Sequence, residues 1–297
     1  MPRHYDLIAV DLDGTLLGPD GSVSAPNAAS IAEARAAGVR VAICTGRGLV
    51  ECDPILKRVD QRDPVVVAGG SMTACPVNRS TLHRFTLDPA LVARATNRLL
   101  SHGHPVMVLK DPAATGYDYL MVVGEEEHPL DPVTAWWFEQ MGVTVRYVHH
   151  VTQDEHPEHT VRLGVCGLSG AMRSIEADML GAFGDSASMH HFPAVVAPDH
   201  AKRLPDGQTL HILEVFSAAA SKWSAIRWLA DREGIEPARI AAIGDQINDL
   251  PMIAGAGLGI AMDNAVARVK AAAKRHTRSN AEDGVAHAVR KILDGAW

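Results

Sequence analysis

The sequence predicts an α/β fold: a doubly wound, Rossmann-like parallel sheet with an α+β domain inserted into the chain. Near both ends, short apolar runs that stop at glycine-rich or polar turns alternate with segments of helical periodicity. This pattern is typical of parallel strands connected by helices. The middle of the chain loses the alternation and has paired strand-like runs instead. At 297 residues the chain is long enough for two domains, each with its own core.

The amino-terminal elements are predicted to form a βαβ unit. One strand is expected at Tyr5–Asp11 and a second at Val39–Cys44. Between them Ser24 is a suitable helix N-cap, Pro26 suits the first turn, and Gly38 ends the helix. Further strands of this sheet are expected at Val65–Ala68 and Ile240–Ile243.

The two domains can be assigned from the change in this alternation. We predict a catalytic core of residues 1–81 and 206–297, and an inserted α+β domain of residues 82–205. In this assignment Leu210–Phe216 is a strand of the core and Lys222–Glu233 is the helix that follows it.

Composition limits the function classes. A formal net charge of -7, without a run of lysine and arginine, argues against a nucleic-acid partner. The apolar stretch near the amino terminus is too short for a membrane span or a signal sequence, so no membrane partner is expected. The four cysteines form no CxxC pair and do not indicate a disulfide framework. We expect a cytoplasmic protein, either a monomer or a homodimer.

The most informative motif is Asp11-Leu12-Asp13-Gly14-Thr15, at the end of the first predicted strand. Open α/β sheets bind ligands at the carboxyl ends of their strands. Alternation along an extended segment would place the side chains of Asp11 and Asp13 on one side. One carboxylate could then attack phosphorus or hold a cation, while the other keeps a proton for the leaving oxygen. Gly14 permits a tight turn whose backbone amides, with that of Leu12, could bind a phosphate.

The second predicted strand ends in Cys44-Thr45-Gly46-Arg47. The hydroxyl of Thr45 could donate to a phosphate oxygen beside the flexible Gly46, or it could simply cap the following segment. Arg47 could bind the substrate or pair with a nearby carboxylate.

Two motifs lie near the carboxyl-terminal strands. Lys222 begins a helix, where its ammonium could neutralise both a phosphate and a nucleophile. Asp245, Asn248 and Asp249 follow a strand and form an acid-rich turn whose oxygen donors suit Mg²⁺. The sequence therefore predicts a magnesium-dependent phosphoryl-transfer site that acts on a small phosphorylated metabolite.

These motifs together resemble the haloacid dehalogenase superfamily, and specifically its Cof-type branch of sugar-phosphatase-like hydrolases. The segments 259–265 and 280–284 also resemble that branch. Where many relatives have Asn-Gly after the third strand, this chain has Gly69-Gly70. The motif residues lie, in chain order, at Asp11 to Thr15, Thr45, Lys222 and Asp245 to Asp249.

The resemblance implies a role for each of these residues. Asp11 would be the nucleophile that forms an aspartyl-phosphate, and Asp13 the general acid and then base. Thr45 and Lys222 would hold the phosphoryl group. It further implies Mg²⁺ bound by the side chains of Asp11 and Asp245 and by the main-chain carbonyl of Asp13, with Asn248 and Asp249 supporting the metal waters and the lysine. The inserted domain would be a cap that selects the leaving group.

Alternative functions follow from the same residues. A phosphomutase would use the same nucleophile but return the phosphoryl group to its substrate. A non-catalytic phosphometabolite-binding protein would need neither a nucleophile nor a proton donor. An oxidoreductase with a nucleotide cofactor is not expected, because the first βα turn lacks the GxGxxG glycines.

Histidine pairs are a further candidate for a metal site. His149-His150, His190-His191 and the pair of His156 with His159 contain a ligand type that zinc prefers. His156 and His159 flank Pro157 in a loop-like stretch without an obvious third ligand, so a zinc site is not predicted.

Overall fold

The computed structural model describes residues 4–194 and 208–297. Its strands are β1 (Leu7–Asp11), β2 (Arg40–Cys44), β3 (Val65–Val67), β4 (Met72–Ala74), β5 (Thr81–Arg84), β6 (Val106–Lys110), β7 (Tyr119–Val122), β8 (Val145–Val148), β9 (Thr160–Leu168), β10 (Ala187–Pro193), β11 (Leu210–Ser217), β12 (Ile240–Gly244), β13 (Leu258–Ala261) and β14 (Arg275–His276). Its α-helices are α1 (Ala25–Ala36), α2 (Asp53–Arg58), α3 (Pro89–Leu100), α4 (Pro112–Thr115), α5 (Pro132–Met141), α6 (Ser169–Phe183), α7 (Lys222–Arg232), α8 (Leu250–Gly255), α9 (Ala267–Ala272) and α10 (Gly284–Leu293).

The chain divides into two compact units. The first comprises Met1–His83 and Ser221–Trp297, and the second comprises Arg84–Ala220. The first unit contains a sheet in the order β14-β13-β12-β1-β2-β3-β4-β5. Its strands run parallel from β14 to β3, and β4 is antiparallel to β3. The predicted doubly wound α/β architecture is thus confirmed.

Burial on both faces explains why the central strands are continuous apolar runs. The four residues of β1 before Asp11 are fully buried, as are those of β12. Parallel strands covered by helices on both sides require this composition. Helix α1 begins where the sequence indicates, because the Ser24 hydroxyl accepts a hydrogen bond from the Asn27 amide at 3.2 Å.

The second unit is built on a sheet in the order β10-β11-β9-β6-β7-β8. Its pairs are antiparallel apart from β7 and β8, which are parallel. The core of this unit consists of apolar side chains from these strands and from α3 and α6. In the part of the chain that the structure describes, no helix has the length and apolar composition needed to cross a membrane.

The structure differs from the sequence assignment at one strand. Leu210–Phe216 was assigned to the core, but β11 lies between β9 and β10 in the second sheet. The first unit resumes only at Ser221, whereas the predicted boundary at 205/206 falls outside the described residues. A strand with this apolar content fits either sheet, because periodicity does not identify the partner strand.

Gly70 allows the start of α7 to approach β3 closely. It has φ +102°, and a Cβ built there would lie 2.1 Å from the carbonyl carbon of Ser221. A side chain at this position would therefore need both a left-handed backbone and a displaced helix start.

We expect Gly70→Ala to lower the free energy of unfolding by about 3 kcal/mol, from the left-handed backbone and the overpacking together. The matched control is Gly21→Ala, since Gly21 has φ +75° but nothing within 4 Å of the added Cβ. The control should lose only about 1 kcal/mol. Urea denaturation of both variants measures the difference, and equal losses would contradict the packing explanation.

Candidate active site

Three neighbouring parallel strands bring the motif residues to one edge of the sheet. Asp11 is the last residue of β1 and is in register with Cys44 on β2, so Thr45 follows at the same level. On the other side, Val10 is in register with Ile243 of β12, and Asp245 comes directly after that strand. The topology therefore brings residues that are distant in sequence to one place.

Lys222 is the charged centre of this group. Its side chain is 1% exposed, and its Nζ donates to Asp11 Oδ1 at 2.5 Å and to Asp249 Oδ1 at 2.6 Å. Burial alone would lower the pKa of the ammonium, but the two carboxylates outweigh burial and raise it above its ordinary value. Lys222 therefore stays charged and holds one oxygen of Asp11 in place.

Asp11, Asp245 and Asp249 form a compact carboxylate cluster. One ligand oxygen from each lies within 4.8 Å of the others. Burial, and then repulsion by Asp249, raises the pKa of Asp11 well above the ordinary value, although Lys222 opposes the shift. The same two causes raise the pKa of Asp245 to about 6. Buried oxygen donors that repel one another fit a hard divalent cation, which would neutralise them.

Hydrogen bonds indicate which carboxylates are available to such a cation. Asp249 Oδ2 accepts from the amides of Asp245 and Gln246, both at 2.9 Å, while its Oδ1 accepts from Lys222. Both of its oxygens are thus engaged. Asp245 accepts one hydrogen bond from the Thr15 hydroxyl at 2.8 Å. This arrangement favours Asp11 and Asp245 as the carboxylates that contact a cation, with Asp249 orienting the loop and the lysine.

Asn248 is positioned to contribute an acceptor. Its Oδ1 is buried and has no hydrogen-bond partner among the described residues. A buried polar atom of this kind carries a desolvation cost unless a bound water or ligand satisfies it. The role of Asn248 in supporting the metal waters and the lysine stays a prediction.

Asp13 lies just beyond the end of β1, which stops at Asp11. In the tight turn that follows, Asp13 keeps extended backbone angles (φ −80°, ψ 119°) and Gly14 has φ +80°. The Asp13 carboxylate pairs with Arg47, whose Nε donates to Oδ2 at 3.0 Å and whose Nη2 donates to Oδ1 at 2.5 Å. A carboxylate was one of the two partners foreseen for Arg47.

The predicted phosphate-binding residues differ in which of their atoms can contact a phosphate. The Leu12 side chain is fully buried, so only its main chain can contact a ligand. A Cβ at Gly14 would lie 2.6 Å from Asp245 Oδ2, whereas one at Gly46 would have nothing within 4 Å. Thr45 is buried, and its hydroxyl accepts a hydrogen bond from the Arg47 amide at 3.1 Å. The hydroxyl proton can still point to a phosphate oxygen.

Two asparagines outside the predicted site residues support the nucleophile loop. Asn264 Nδ2 donates to the Gly14 carbonyl at 2.8 Å, and its Oδ1 accepts from the Asn280 amide at 2.9 Å. Asn280 Nδ2 in turn donates to the Leu17 carbonyl at 2.8 Å. The likeness of segments 259–265 and 280–284 to one branch of a family was the available signal for these residues.

The histidine pairs do not come together as metal sites. Within residues 4–194 and 208–297, the group of Asp11, Asp245 and Asp249 is the one set of at least three histidine, cysteine or acidic residues whose ligand atoms lie close enough to share an ion. His191 instead contacts Glu176 at 2.6 Å and His211 at 2.8 Å. The expectation that the histidine pairs bind no zinc therefore remains a prediction.

Comparison with known proteins adds a family match, two sequence relatives and one structural neighbour. A family of haloacid dehalogenase-like hydrolases matches residues 8–159 and 199–289. The 5-amino-6-(5-phospho-D-ribitylamino)uracil phosphatase YwtE of Bacillus subtilis is 29% identical over 98% of this chain and 99% of its own length. The putative phosphatase YxeH of the same organism is 28% identical, over 97% and 98%. A haloacid dehalogenase-like hydrolase structure from Bacteroides thetaiotaomicron superposes with a TM-score of 0.77 at 22% identity, covering 97% and 99% of the two chains.

The raised pKa of Asp245 predicts how stability depends on pH. With a pKa of about 6 against an ordinary 3.8, the folded chain binds this proton more tightly than the unfolded chain. The free energy of unfolding in EDTA should therefore fall by up to about 3 kcal/mol as pH rises from 4 to 6 through this group. Asp245→Asn should lose the share of this slope that comes from Asp245, while the raised pKa of Asp11 still contributes a slope of the same sign, and the variant should be more stable than wild type at pH 7.5. Asp231→Asn, an exposed change on α7, is the matched control.

The same cluster predicts a response to Mg²⁺. A cation that binds only the folded chain raises its thermal midpoint, and protons compete for the same oxygens. The midpoint of wild type should rise on adding Mg²⁺, more at pH 7.5 than at pH 5, and that of Asp245→Asn should not. Differential scanning calorimetry measures each effect. An Asp245→Asn variant that is less stable in EDTA at pH 7.5, or that keeps the Mg²⁺ response, would contradict this account.

Proposed function

Because the chain belongs to the haloacid dehalogenase-like hydrolase family, as a Cof-type phosphatase, we propose that it is a magnesium-dependent enzyme that hydrolyses a small phosphorylated metabolite through an aspartyl-phosphate. The observation that carries this proposal is the contact of the buried Lys222 ammonium with Asp11 in a cluster of three carboxylates. The proposed nucleophile, Asp11, lies beside the ammonium of Lys222 and within a group of carboxylates that could bind a metal ion. This arrangement suits phosphoryl transfer, in which positioning and charge neutralisation supply most of the catalysis.

In the first step, a carboxylate oxygen of Asp11 attacks phosphorus and the bond from phosphorus to the leaving oxygen breaks. Asp13 gives that oxygen a proton. Lys222 already holds Asp11 Oδ1, which leaves Oδ2 for the attack. Mg²⁺, bound by Asp11 and Asp245, would neutralise the charge of the phosphoryl oxygens that the nucleophile must approach.

In the second step, a water molecule attacks the phosphorus of the aspartyl-phosphate. Asp13 takes the water proton, the bond between phosphorus and Asp11 breaks, and its electron pair returns to the Asp11 carboxylate. Inorganic phosphate is the product. The Thr45 hydroxyl and the main chain at Leu12, Gly14 and Gly46 are proposed to hold the phosphoryl group in both steps.

The substrate class is proposed to be a sugar phosphate or a closely related polyol phosphate. The support comes from relatives such as YwtE, whose name specifies a phosphoribityl compound. Residues 84–220 are proposed to act as the cap that selects the leaving group. We also propose a cytoplasmic location, which suits the four unpaired cysteines.

We expect purified protein to release phosphate in the presence of Mg²⁺ and not in EDTA, when tested on hexose phosphates, pentose phosphates, nucleotides and 5-amino-6-(5-phospho-D-ribitylamino)uracil. Asp11→Asn should lower kcat by about a thousandfold or more, because the nucleophile is removed. Asp231→Asn is the control and should leave kcat unchanged. Acid-quenched protein should carry phosphate in wild type and not in Asp11→Asn.

Other outcomes would identify the alternatives. Turnover that requires a sugar bisphosphate would indicate a mutase. Binding of phosphorylated ligands with no turnover of any of them would indicate a non-catalytic binding protein. Substantial activity in Asp11→Asn would refute the covalent mechanism.

A further inference from the structure

Arg47 makes a two-point contact with Asp13. The Nε and Nη2 donors of its guanidinium meet the two carboxylate oxygens of Asp13, at 3.0 and 2.5 Å. The Arg47 side chain is 13% exposed, while that of Asp13 is 38% exposed. This parallel pairing of a planar donor fork with both carboxylate oxygens fixes the plane of the carboxylate as well as its position.

The main chain of Arg47 is anchored on both sides. Its amide donates to the Thr45 hydroxyl at 3.1 Å, and its carbonyl accepts from the Ala68 amide at 2.8 Å. The Thr45 carbonyl accepts from the Gly69 amide at 2.9 Å. The arginine therefore extends from a short segment fixed between the ends of β2 and β3. Asp13, by contrast, lies in a turn and is partly open to solvent.

We propose that Arg47 is a positioning residue that acts through Asp13, and that it is not a ligand of the phosphate. This inference rests on the proposed function, in which Asp13 transfers the proton in both steps. With its fork occupied by Asp13, the Nε and Nη2 edge of Arg47 is not available to a phosphoryl group. Phosphate binding is then left to Lys222, Thr45 and the main-chain amides of the loop.

The pairing suits the second step in particular. A guanidinium has donors and no acceptor, so both Asp13 oxygens act as acceptors in this pair. An oxygen that accepts is what the attacking water requires when its proton is removed. Holding that oxygen in one direction matters, because a misplacement of about 1 Å can cost about a hundredfold in rate. Without Arg47, Asp13 would sample several rotamers at a half-exposed position.

The test compares Arg47→Met and Arg47→Lys with wild type, using p-nitrophenyl phosphate as the substrate. This ester has a good leaving group, so the first step needs little help from an acid. Orthovanadate is the probe for phosphoryl-group binding. The matched control is Arg62→Met, since Arg62 forms an exposed pair with Asp60 away from the site.

We expect Arg47→Met to lower kcat by about 10- to 100-fold. The inhibition constant of orthovanadate and kcat/KM should each change less than about threefold, because neither phosphate binding nor the first step with this ester depends on Arg47 in this proposal; KM should therefore fall together with kcat. Rapid-quench experiments should show that the phosphorylated enzyme accumulates, since its hydrolysis is the step that slows. Arg47→Lys should stay close to Arg47→Met, because lysine keeps the charge but cannot form the fork. Arg62→Met should behave as wild type.

A double-mutant cycle separates action through Asp13 from an independent role. In an Asp13→Asn background, Arg47→Met should change the residual kcat by less than about threefold, because the residue through which it acts is already impaired. The full 10- to 100-fold loss in that background would overturn the proposal. So would unchanged kcat in Arg47→Met, or a tenfold weaker inhibition by orthovanadate with kcat retained.

The outcomes also separate this inference from the proposed function. Phosphate release by wild type and its loss in Asp11→Asn test the function without reference to Arg47. If wild type turns over and Arg47→Met matches it, only the positioning role is refuted. If wild type releases phosphate from no ester, both proposals fall together.

Discussion

The site depends on one buried ammonium held between two carboxylates. Lys222 contacts Asp11 and Asp249, and all three side chains are almost completely buried. Removing Lys222 would leave buried carboxylates without a compensating positive charge, which is costly. The ammonium also allows a third carboxylate, Asp245, to lie nearby. The attraction to Lys222 therefore permits a cluster of negative charge that the sheet edge could not otherwise accommodate.

The sheet topology and local packing determine where that ammonium lies. The helix start at Ser221 can reach the edge of the sheet because Gly70 presents no side chain to it. The Asp249 carboxylate accepts hydrogen bonds from two amides of its own loop through Oδ2, which directs Oδ1 toward Lys222. Asn264 holds the Gly14 carbonyl and thereby the loop after Asp11. Together these contacts fix the positions of Lys222, of Asp249 and of the loop that follows Asp11.

The strands β1, β2, β3 and β12 were predictable from the sequence, because a buried parallel strand requires a continuous apolar run and the motifs follow those runs directly. The unit to which β11 belongs was not predictable, since its apolar pattern fits either sheet. The pairing of Asp13 with Arg47 was left open, because it depends on the turn after β1 and on a partner 34 positions away. The sequence pattern shows which residues lie at the carboxyl-terminal edge of the sheet, but the partners of their side chains depend on the conformation of the turns that follow the strands.

Two aspartates two positions apart occupy opposite environments. Asp11 is buried against an ammonium and two other carboxylates, whereas Asp13 is partly exposed and paired with a guanidinium. Under the proposed mechanism the first forms a bond to phosphorus and the second moves protons to and from solvent-accessible oxygens. A buried carboxylate held by Lys222 suits the first task, since it is shielded from water and fixed in direction. A partly exposed carboxylate suits the second, since it must meet the leaving group and then a water molecule. The two environments follow from what each carboxylate contacts: β1 ends at Asp11, whose carboxylate is held by Lys222, while the carboxylate of Asp13 beyond the strand end is held by Arg47.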